Sequence, residues 1–87
     1  MTGQGDFAVE IPSAFFLLYR ERDREMKVEV DFRDPMPRLY RSAIRTWQYP
    51  HESKTVTDDD RERILSNIAT YLRDVRRFDF EISRDQP

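Results

Sequence analysis

The segment from Thr57 to Arg76 constrains the fold more than any other part of this sequence. Apolar side chains recur there at three- and four-residue spacing, which places them on one face of an α-helix. They are Ile64, Leu65, Ile68, Ala69, Leu72 and Val75. Thr57 precedes three aspartates and is placed to cap the first turn, with Asp60 in the reciprocal position of a capping box. The pattern predicts a helix from about Asp58 to Arg76, with its apolar face in a core.

Two segments before this helix have the character of β-strands. Residues 14–20 form a continuous apolar run rich in aromatics, and residues 27–32 alternate strictly between apolar and charged side chains. We expect the two segments to form an antiparallel hairpin. The residues between them contain no Asn-Gly or Asp-Gly pair, so the sequence favours a longer connection around residues 21–24 over a tight two-residue turn.

Two further segments complete the predicted sheet. The mixed pattern of residues 38–47 indicates a strand, with a short helical turn over residues 42–46 as the alternative. Residues 78–82 alternate, so the side chains expected to point at the core are Phe78, Phe80 and Ile82. The sequence therefore predicts an α+β fold in the order β-β-β-α-β, with a mainly antiparallel sheet of about four strands and one helix packed on one face.

The length of 87 residues is that of a single domain spanning residues 1–87. A chain of this size buries only roughly 60 to 65% of its unfolded surface, so its core is small. Residues 1–6 contain both glycines and little that can pack, and we expect them to form a flexible tail. One helix covers one face of a sheet, so the second face of the 14–20 strand is expected to lie under residues 7–12 or to form a partner surface.

Charge and composition narrow the classes of function. The formal net charge of −2 argues against binding to nucleic acids or to a membrane surface, because such domains carry a cationic excess. The chain has no cysteine, which fits a reducing compartment. No apolar run approaches the roughly 18 residues of a membrane span, and the amino terminus lacks the order of a secretion signal. We therefore expect a cytoplasmic protein.

Nothing in the sequence predicts catalysis, a cofactor or a metal site. His51 is the only histidine, and its neighbours Glu52 and Ser53 point away from it on an extended loop, whereas a catalytic triad converges from distant segments. The three aspartates before the helix are explained by the helix dipole and do not have the spacing of a calcium loop. No glycine follows residue 5, so a phosphate-cradling loop is absent. The sequence predicts a protein that is not an enzyme.

The most unusual segment is the loop that precedes the helix. It brings together two large aromatic residues, a proline and a titratable pair, and both loops and large aromatics are frequent at protein interfaces. The residues predicted to contact a protein partner are Trp47, Tyr49, Pro50, His51 and Glu52. For Trp47 an equally weighted alternative is that its side chain plugs the end of the core.

Arg41 and Arg45 extend this candidate surface. If both lie in one strand, their spacing of four places them on one face beside Trp47. A stripe of arginines and an aromatic side chain could grip an acidic protein or a single-stranded RNA. The favoured alternative is a solvent-facing strand whose arginines form cross-strand ion pairs with Glu29 or Asp31.

Between about residues 26 and 82 the sequence has a serine and an isoleucine ahead of a tryptophan, then a loop with a proline and an acid, and then a capped helix and a closing strand. The residues that make up this order are Ser42, Ile44, Trp47, Pro50, Glu52, Ile64, Leu65, Ile68 and Leu72. In this order the chain resembles small bacterial immunity proteins of polymorphic toxin systems. The resemblance implies an inhibitor that occludes a toxin domain. The alternative is a small structural or assembly module, such as a homodimer formed through Phe16 and Leu18.

Overall fold

The computed structural model describes residues 7–83. Its strands in chain order are β1 (Phe7–Ser13), β2 (Phe16–Glu21), β3 (Arg24–Glu29), β4 (Arg38–Tyr40) and β5 (Glu81–Ser83), and helix α1 (Asp58–Asp74) lies between β4 and β5. The α+β class is confirmed, and the predicted order β-β-β-α-β is found from β2 to β5, preceded by one further strand, β1. The tail predicted over residues 1–6 lies outside the described residues.

Strands β1, β2 and β3 form an antiparallel sheet in that order. β2 pairs with β3 over six residues, from Phe16 opposite Glu29 to Glu21 opposite Arg24. The hairpin therefore turns in two residues, and the longer connection predicted from the sequence is wrong. Arg22 makes the tight turn by adopting a φ of 59°, a left-handed conformation that glycine or asparagine more often supplies.

Strand β1 lies at the edge of the sheet beside β2. One of the two expectations was that residues 7–12 cover the second face of the sheet, and this expectation is wrong. Strand β1 pairs with β2 through residues such as Val9, opposite Tyr19. Side chains on one face of the sheet enter the core, whereas Phe16 and Leu18 on the second face are half-buried.

Helix α1 confirms the strongest prediction. Thr57 Oγ1 accepts a hydrogen bond from the Asp60 amide at 3.1 Å, and Asp60 Oδ2 accepts one from the Thr57 amide at 3.1 Å. The buried helix residues are Ile64, Leu65, Ile68, Ala69 and Leu72. Val75 was expected on the same face but is 64% exposed, because the helix ends there. No helix within residues 7–83 has the length and apolar character needed to cross a membrane.

The segment after β3 differs most from the expectation. The strand predicted over residues 38–47 is only three residues long, and residues Arg41–Ala43 form a 3-10 turn, which partly matches the helical alternative. β4 does not join the main sheet but pairs in parallel with β5. The Glu81 amide donates to the Pro37 carbonyl at 2.9 Å at the beginning of this pair. The single sheet of about four strands is thus replaced by a three-stranded and a two-stranded sheet.

The closing strand is also shorter than predicted. It begins at Glu81, so residues 78–80 approach the core as irregular backbone. Phe78 and Phe80 are partly buried against the core, as expected for their side chains, whereas Ile82 is 41% exposed. Within the described residues, the buried side chains of the main sheet, β4 and α1 form one hydrophobic core.

Candidate protein-binding surface

Residues 48–55 form a loop whose two ends are held in the core. Trp47 is 1% exposed, and Val56 is 6% exposed. The Trp47 ring lies 6.5 Å from the ring of Tyr19, and the Arg24 guanidinium lies over it at 5.6 Å. Of the two interpretations of Trp47, the structure shows the core residue. Trp47 anchors the loop and offers no accessible surface to a partner.

Polar contacts tie the same loop to the β2–β3 hairpin. The Gln48 amide donates to the Glu25 carbonyl at 2.8 Å, and His51 Nε2 lies 3.5 Å from Asp23 Oδ2. Within the loop, the His51 amide donates to the Gln48 carbonyl at 2.8 Å and the Lys54 amide to the His51 carbonyl at 2.9 Å. The loop is therefore fastened along its length as well as at its ends.

The tip of the loop points into solvent. Tyr49 is 85% exposed, the largest exposure among the large hydrophobic side chains that the structure describes. Pro50 and Glu52 are exposed as well, and the Tyr49–Pro50 peptide bond is cis. His51 is only partly exposed because it contacts Asp23. Of the five residues predicted in this loop, the structure brings Tyr49, Pro50 and Glu52 to the surface.

Arg41 is partly buried and is engaged by helix α1, so it does not extend this surface. Its Nε donates to Glu62 Oε2 at 2.6 Å, and its Nη2 donates to Asp58 Oδ1 at 3.2 Å. The hydrogen bond to Glu62, followed by that to Asp58, raises the pKa of Arg41. Arg41 thus holds the 3-10 turn against the first turn of α1. The alternative, in which the arginines pair with Glu29 or Asp31, is also wrong within residues 7–83: Arg41 pairs with α1, Arg45 forms no ion pair, and Asp31 pairs with Arg33 at 3.0 Å.

Arg45 does not share a strand face with Arg41, because the 3-10 turn separates them. It is exposed, and its Nε donates to the Ser42 carbonyl at 3.0 Å. Its side chain lines a groove of about 510 Å³ together with Phe15, Phe16, Val30 and Tyr40, among others. Sequence reasoning missed this groove. The apolar run of residues 14–20 was its only local signal, and Phe15 in that run is 54% exposed.

A second polar cluster, the helix–hairpin junction, connects α1 to β2. Arg63 Nε and Nη2 each donate to a carboxylate oxygen of Glu21 at 2.8 Å, and Arg63 Nη1 donates to Asp60 at 2.8 Å. Asn67 Nδ2 donates to the Tyr19 hydroxyl at 2.9 Å, and this hydroxyl donates to Glu21 Oε2 at 3.2 Å. These five side chains satisfy one another, so the junction serves the fold.

The junction also shifts the ionisation of its members. Burial raises the pKa of Tyr19 to about 12, against a smaller opposing effect of the hydrogen bond from Asn67. The hydrogen bond from Arg63 is the main cause of a lowered pKa at Asp60. The folded protein therefore holds Tyr19 neutral and Asp60 charged over a wider pH range than the unfolded chain does.

Between residues 7 and 83 no three His, Cys, Asp or Glu side chains converge to hold a metal ion. Two buried side-chain atoms, Ser42 Oγ and Trp47 Nε1, have no hydrogen-bond partner within these residues. Both belong to the segment that carries the chain from β4 into the loop.

Comparison with known proteins finds no match for this chain: no protein-family model, no curated protein and no solved structure matches it. The resemblance to immunity proteins rests on the order of residues between about 26 and 82. It stays a prediction.

Proposed function

We propose that this protein is a non-catalytic cytoplasmic protein-binding domain whose contact surface is the tip of the 48–55 loop. The observation that carries the proposal is the contrast between two aromatic residues in one loop, Trp47 at 1% and Tyr49 at 85% exposure. Tyrosine is enriched at interface hot spots. A loop already fastened in place loses little conformational entropy when a partner binds, which leaves more of the contact energy for affinity.

The partner that we propose is a bacterial toxin domain, which the protein would occlude as an immunity-type inhibitor. The resemblance in sequence supports this proposal. The loop and the adjacent hairpin turn each carry an acidic group suited to a basic cleft, since Glu52 in the loop is exposed and Asp23 in the turn, in contact with His51, has a side chain 77% exposed. Opposite charges across an interface speed association and disfavour wrong partners.

The alternative, a homodimer through the second face of the main sheet, has less support. Leu18 and Phe16 are only half-buried there, but Lys27 Nζ lies 4.5 Å from the centre of the Phe16 ring and covers it. A cation over an aromatic ring satisfies part of the face within the chain. The sedimentation of the purified protein distinguishes a monomer from this dimer.

The first test of the proposal is the gene neighbourhood, where we expect a gene for a toxin domain beside this one, and the second is co-expression of the protein with that toxin domain. The wild-type protein should restore growth, whereas Tyr49→Ala and Glu52→Lys should restore it poorly while folding normally. Glu10→Lys, an exposed acid-to-lysine change on β1, is the matched control and should protect like the wild type. Full protection by both loop variants would contradict the proposal.

A further inference from the structure

Strand β3 lies at the edge of the main sheet, and half of its backbone groups face away from β2. In an antiparallel pair, successive residues alternate between facing the neighbouring strand and facing away from it. The Val30 amide donates to the Phe15 carbonyl at 3.1 Å, so the even-numbered residues face β2. The amides and carbonyls of Glu25, Lys27 and Glu29 therefore point out of the sheet.

One contact supports this assignment and also limits the free edge. The Glu25 carbonyl accepts a hydrogen bond from the Gln48 amide at 2.8 Å, which comes from outside the sheet. No other backbone group among residues 7–83 is hydrogen-bonded to this edge from outside the sheet. On the outer edge of β3, the loop therefore occupies the backbone carbonyl of Glu25, whereas the backbone amides and carbonyls of Lys27 and Glu29 are left open for pairing.

The groove described above runs along this open edge. At one end the groove adjoins a smaller cavity of about 200 Å³, which shares four of its lining residues and lies between β3 and the segment that follows the 3-10 turn. The residues lining this cavity are Lys27, Glu29, Ala43, Arg45 and Thr46. The outward-facing backbone groups of β3 thus line one side of a cavity, and residues 43–46 line the other side. A cavity with two walls suits a single extended peptide better than the flat edge of another sheet.

The charges at this end of the groove favour an acidic occupant. Lys27 and Arg45 both line it, and neither forms an ion pair within the described residues. The guanidinium of Arg45 contacts only the neutral Ser42 carbonyl. Glu29 is the only acid that lines this cavity, so the end has a net positive charge.

The opposite edge of the sheet differs in a way that makes β3 the better template. β1 contains Pro12, which has no amide hydrogen, and its register shifts between Glu10 and Ser13. Proline and irregular register are features that protect a strand edge from further pairing. β3 pairs without a shift and contains neither feature.

We propose that the open edge of β3 binds an extended, acidic segment of a protein partner by strand addition. The backbone of the segment pairs with Lys27 and Glu29, and an acidic side chain of the segment lies between Lys27 and Arg45. This inference rests on the proposed function and adds a second contact surface, joined to the loop through Gln48.

The test uses the acetylated and amidated peptide Thr-Val-Glu-Val-Thr-Val and the isotope-labelled full chain in nuclear magnetic resonance. In the free protein the amide hydrogens of Lys27 and Glu29 should exchange rapidly with solvent. At saturating peptide their exchange should slow by about tenfold or more, and their resonances and those of Arg45 should shift. The same peptide with alternate backbone nitrogens methylated on its pairing edge should not protect them.

Charge exchange tests the acidic preference. Lys27→Glu should weaken binding of the peptide by about fivefold or more and improve binding of a second peptide with lysine in place of its glutamate. Lys54→Glu, an exposed change in the loop outside the groove, should alter neither affinity. Tyr49→Ala should also leave peptide binding unchanged, which separates this inference from the proposed function of the loop.

Five results would overturn the inference. The first four are slow exchange of both amides in the free monomer, equal binding of the methylated peptide, resonance shifts confined to Phe16 and Leu18, and no slowing at millimolar peptide. Protection that rises with protein concentration in the absence of peptide would also overturn it, since the occupant would then be a second copy of the chain. None of these results would affect the growth test of the loop, so the two proposals can fail separately.

Discussion

The helix–hairpin junction and the 48–55 loop each contain a tyrosine and a glutamate, but the tyrosine is buried in the junction and exposed in the loop. In the junction, the Tyr19 ring is fully buried and its hydroxyl bonds to Asn67 and Glu21. In the loop, Tyr49 is 85% exposed beside the exposed Glu52. Residue type alone does not distinguish a tyrosine that stabilises the fold from one that is available to a partner. The position of each tyrosine relative to the core makes this distinction.

The two regions meet at Trp47, and this contact explains the difference. Its ring packs against Tyr19 within the core. The chain leaves the core directly after it, where the Gln48 amide bonds to β3. With Trp47 buried and the Gln48 amide bonded to the edge of the sheet, the chain has left the core when it reaches Tyr49.

The largest expected effect is on the core that supports both regions. Ile68→Ala removes a fully buried side chain and should lower the free energy of unfolding by about 2 to 5 kcal/mol. Denaturant unfolding of the variant measures this loss. Val75→Ala removes two methyl groups from a side chain 64% exposed and should change the stability by less than about 0.5 kcal/mol. Equal losses in the two variants would show that the helix face is misassigned.

The next effect concerns the ionisation of the buried Tyr19. The pKa of Tyr19 is raised from 10.0 to about 12 in the folded protein. The folded state therefore holds this proton more tightly, so the stabilisation is complete below pH 10 and is lost as the pH rises towards about 12. Unfolding measured across this range should show a smaller alkaline loss in Tyr19→Phe than in the wild type.

Tyr49→Phe is the matched control, since it removes a hydroxyl from a ring that is 85% exposed. Its free energy of unfolding at neutral pH should differ from that of the wild type by less than about 0.5 kcal/mol. At neutral pH, Tyr19→Phe should cost about 1 kcal/mol through its two hydrogen bonds. If Tyr19→Phe and the wild type lost stability in parallel above pH 10, the junction would not hold Tyr19 in the way described.

A smaller effect is expected where the loop meets the helix. Thr57→Ala removes the side-chain oxygen that caps the Asp60 amide and should cost about 1 kcal/mol. Thr55→Ala, an exposed change two residues earlier, should be nearly neutral in thermal unfolding. Neither change should alter partner affinity. Weakened binding without loss of stability in Thr57→Ala would move the contact surface towards the helix.

The sequence predicted the helix well because its signals are local. The spacing of Ile64 to Leu72 and the capping box at Thr57 and Asp60 are each contained within a few residues. The hairpin was predicted as a pair of strands, but its turn was not, because Arg22 adopts a left-handed conformation without the glycine or asparagine that marks it. The parallel pairing of β4 with β5 depends on contacts far apart in the sequence and has no local pattern.

The candidate site was predictable only in part for the same reason. The residue types of the loop marked it as a place of interest, but nothing in them showed that Trp47 would be buried and Tyr49 exposed. Arg41 looked like a surface residue because Glu62 and Asp58, which bind it, lie on a different element. The open edge of β3 is a property of the sheet order, which the pattern of a single strand does not contain.

The central claim is that the tip of the loop serves binding and contributes little to the fold, and Tyr49→Ala tests it most directly. The measurement pairs denaturant unfolding with calorimetric titration of the partner. We predict a change in the free energy of unfolding below about 0.5 kcal/mol and a loss of binding free energy of about 2 kcal/mol or more. Unchanged affinity, or a loss of stability as large as that of Ile68→Ala, would contradict the account.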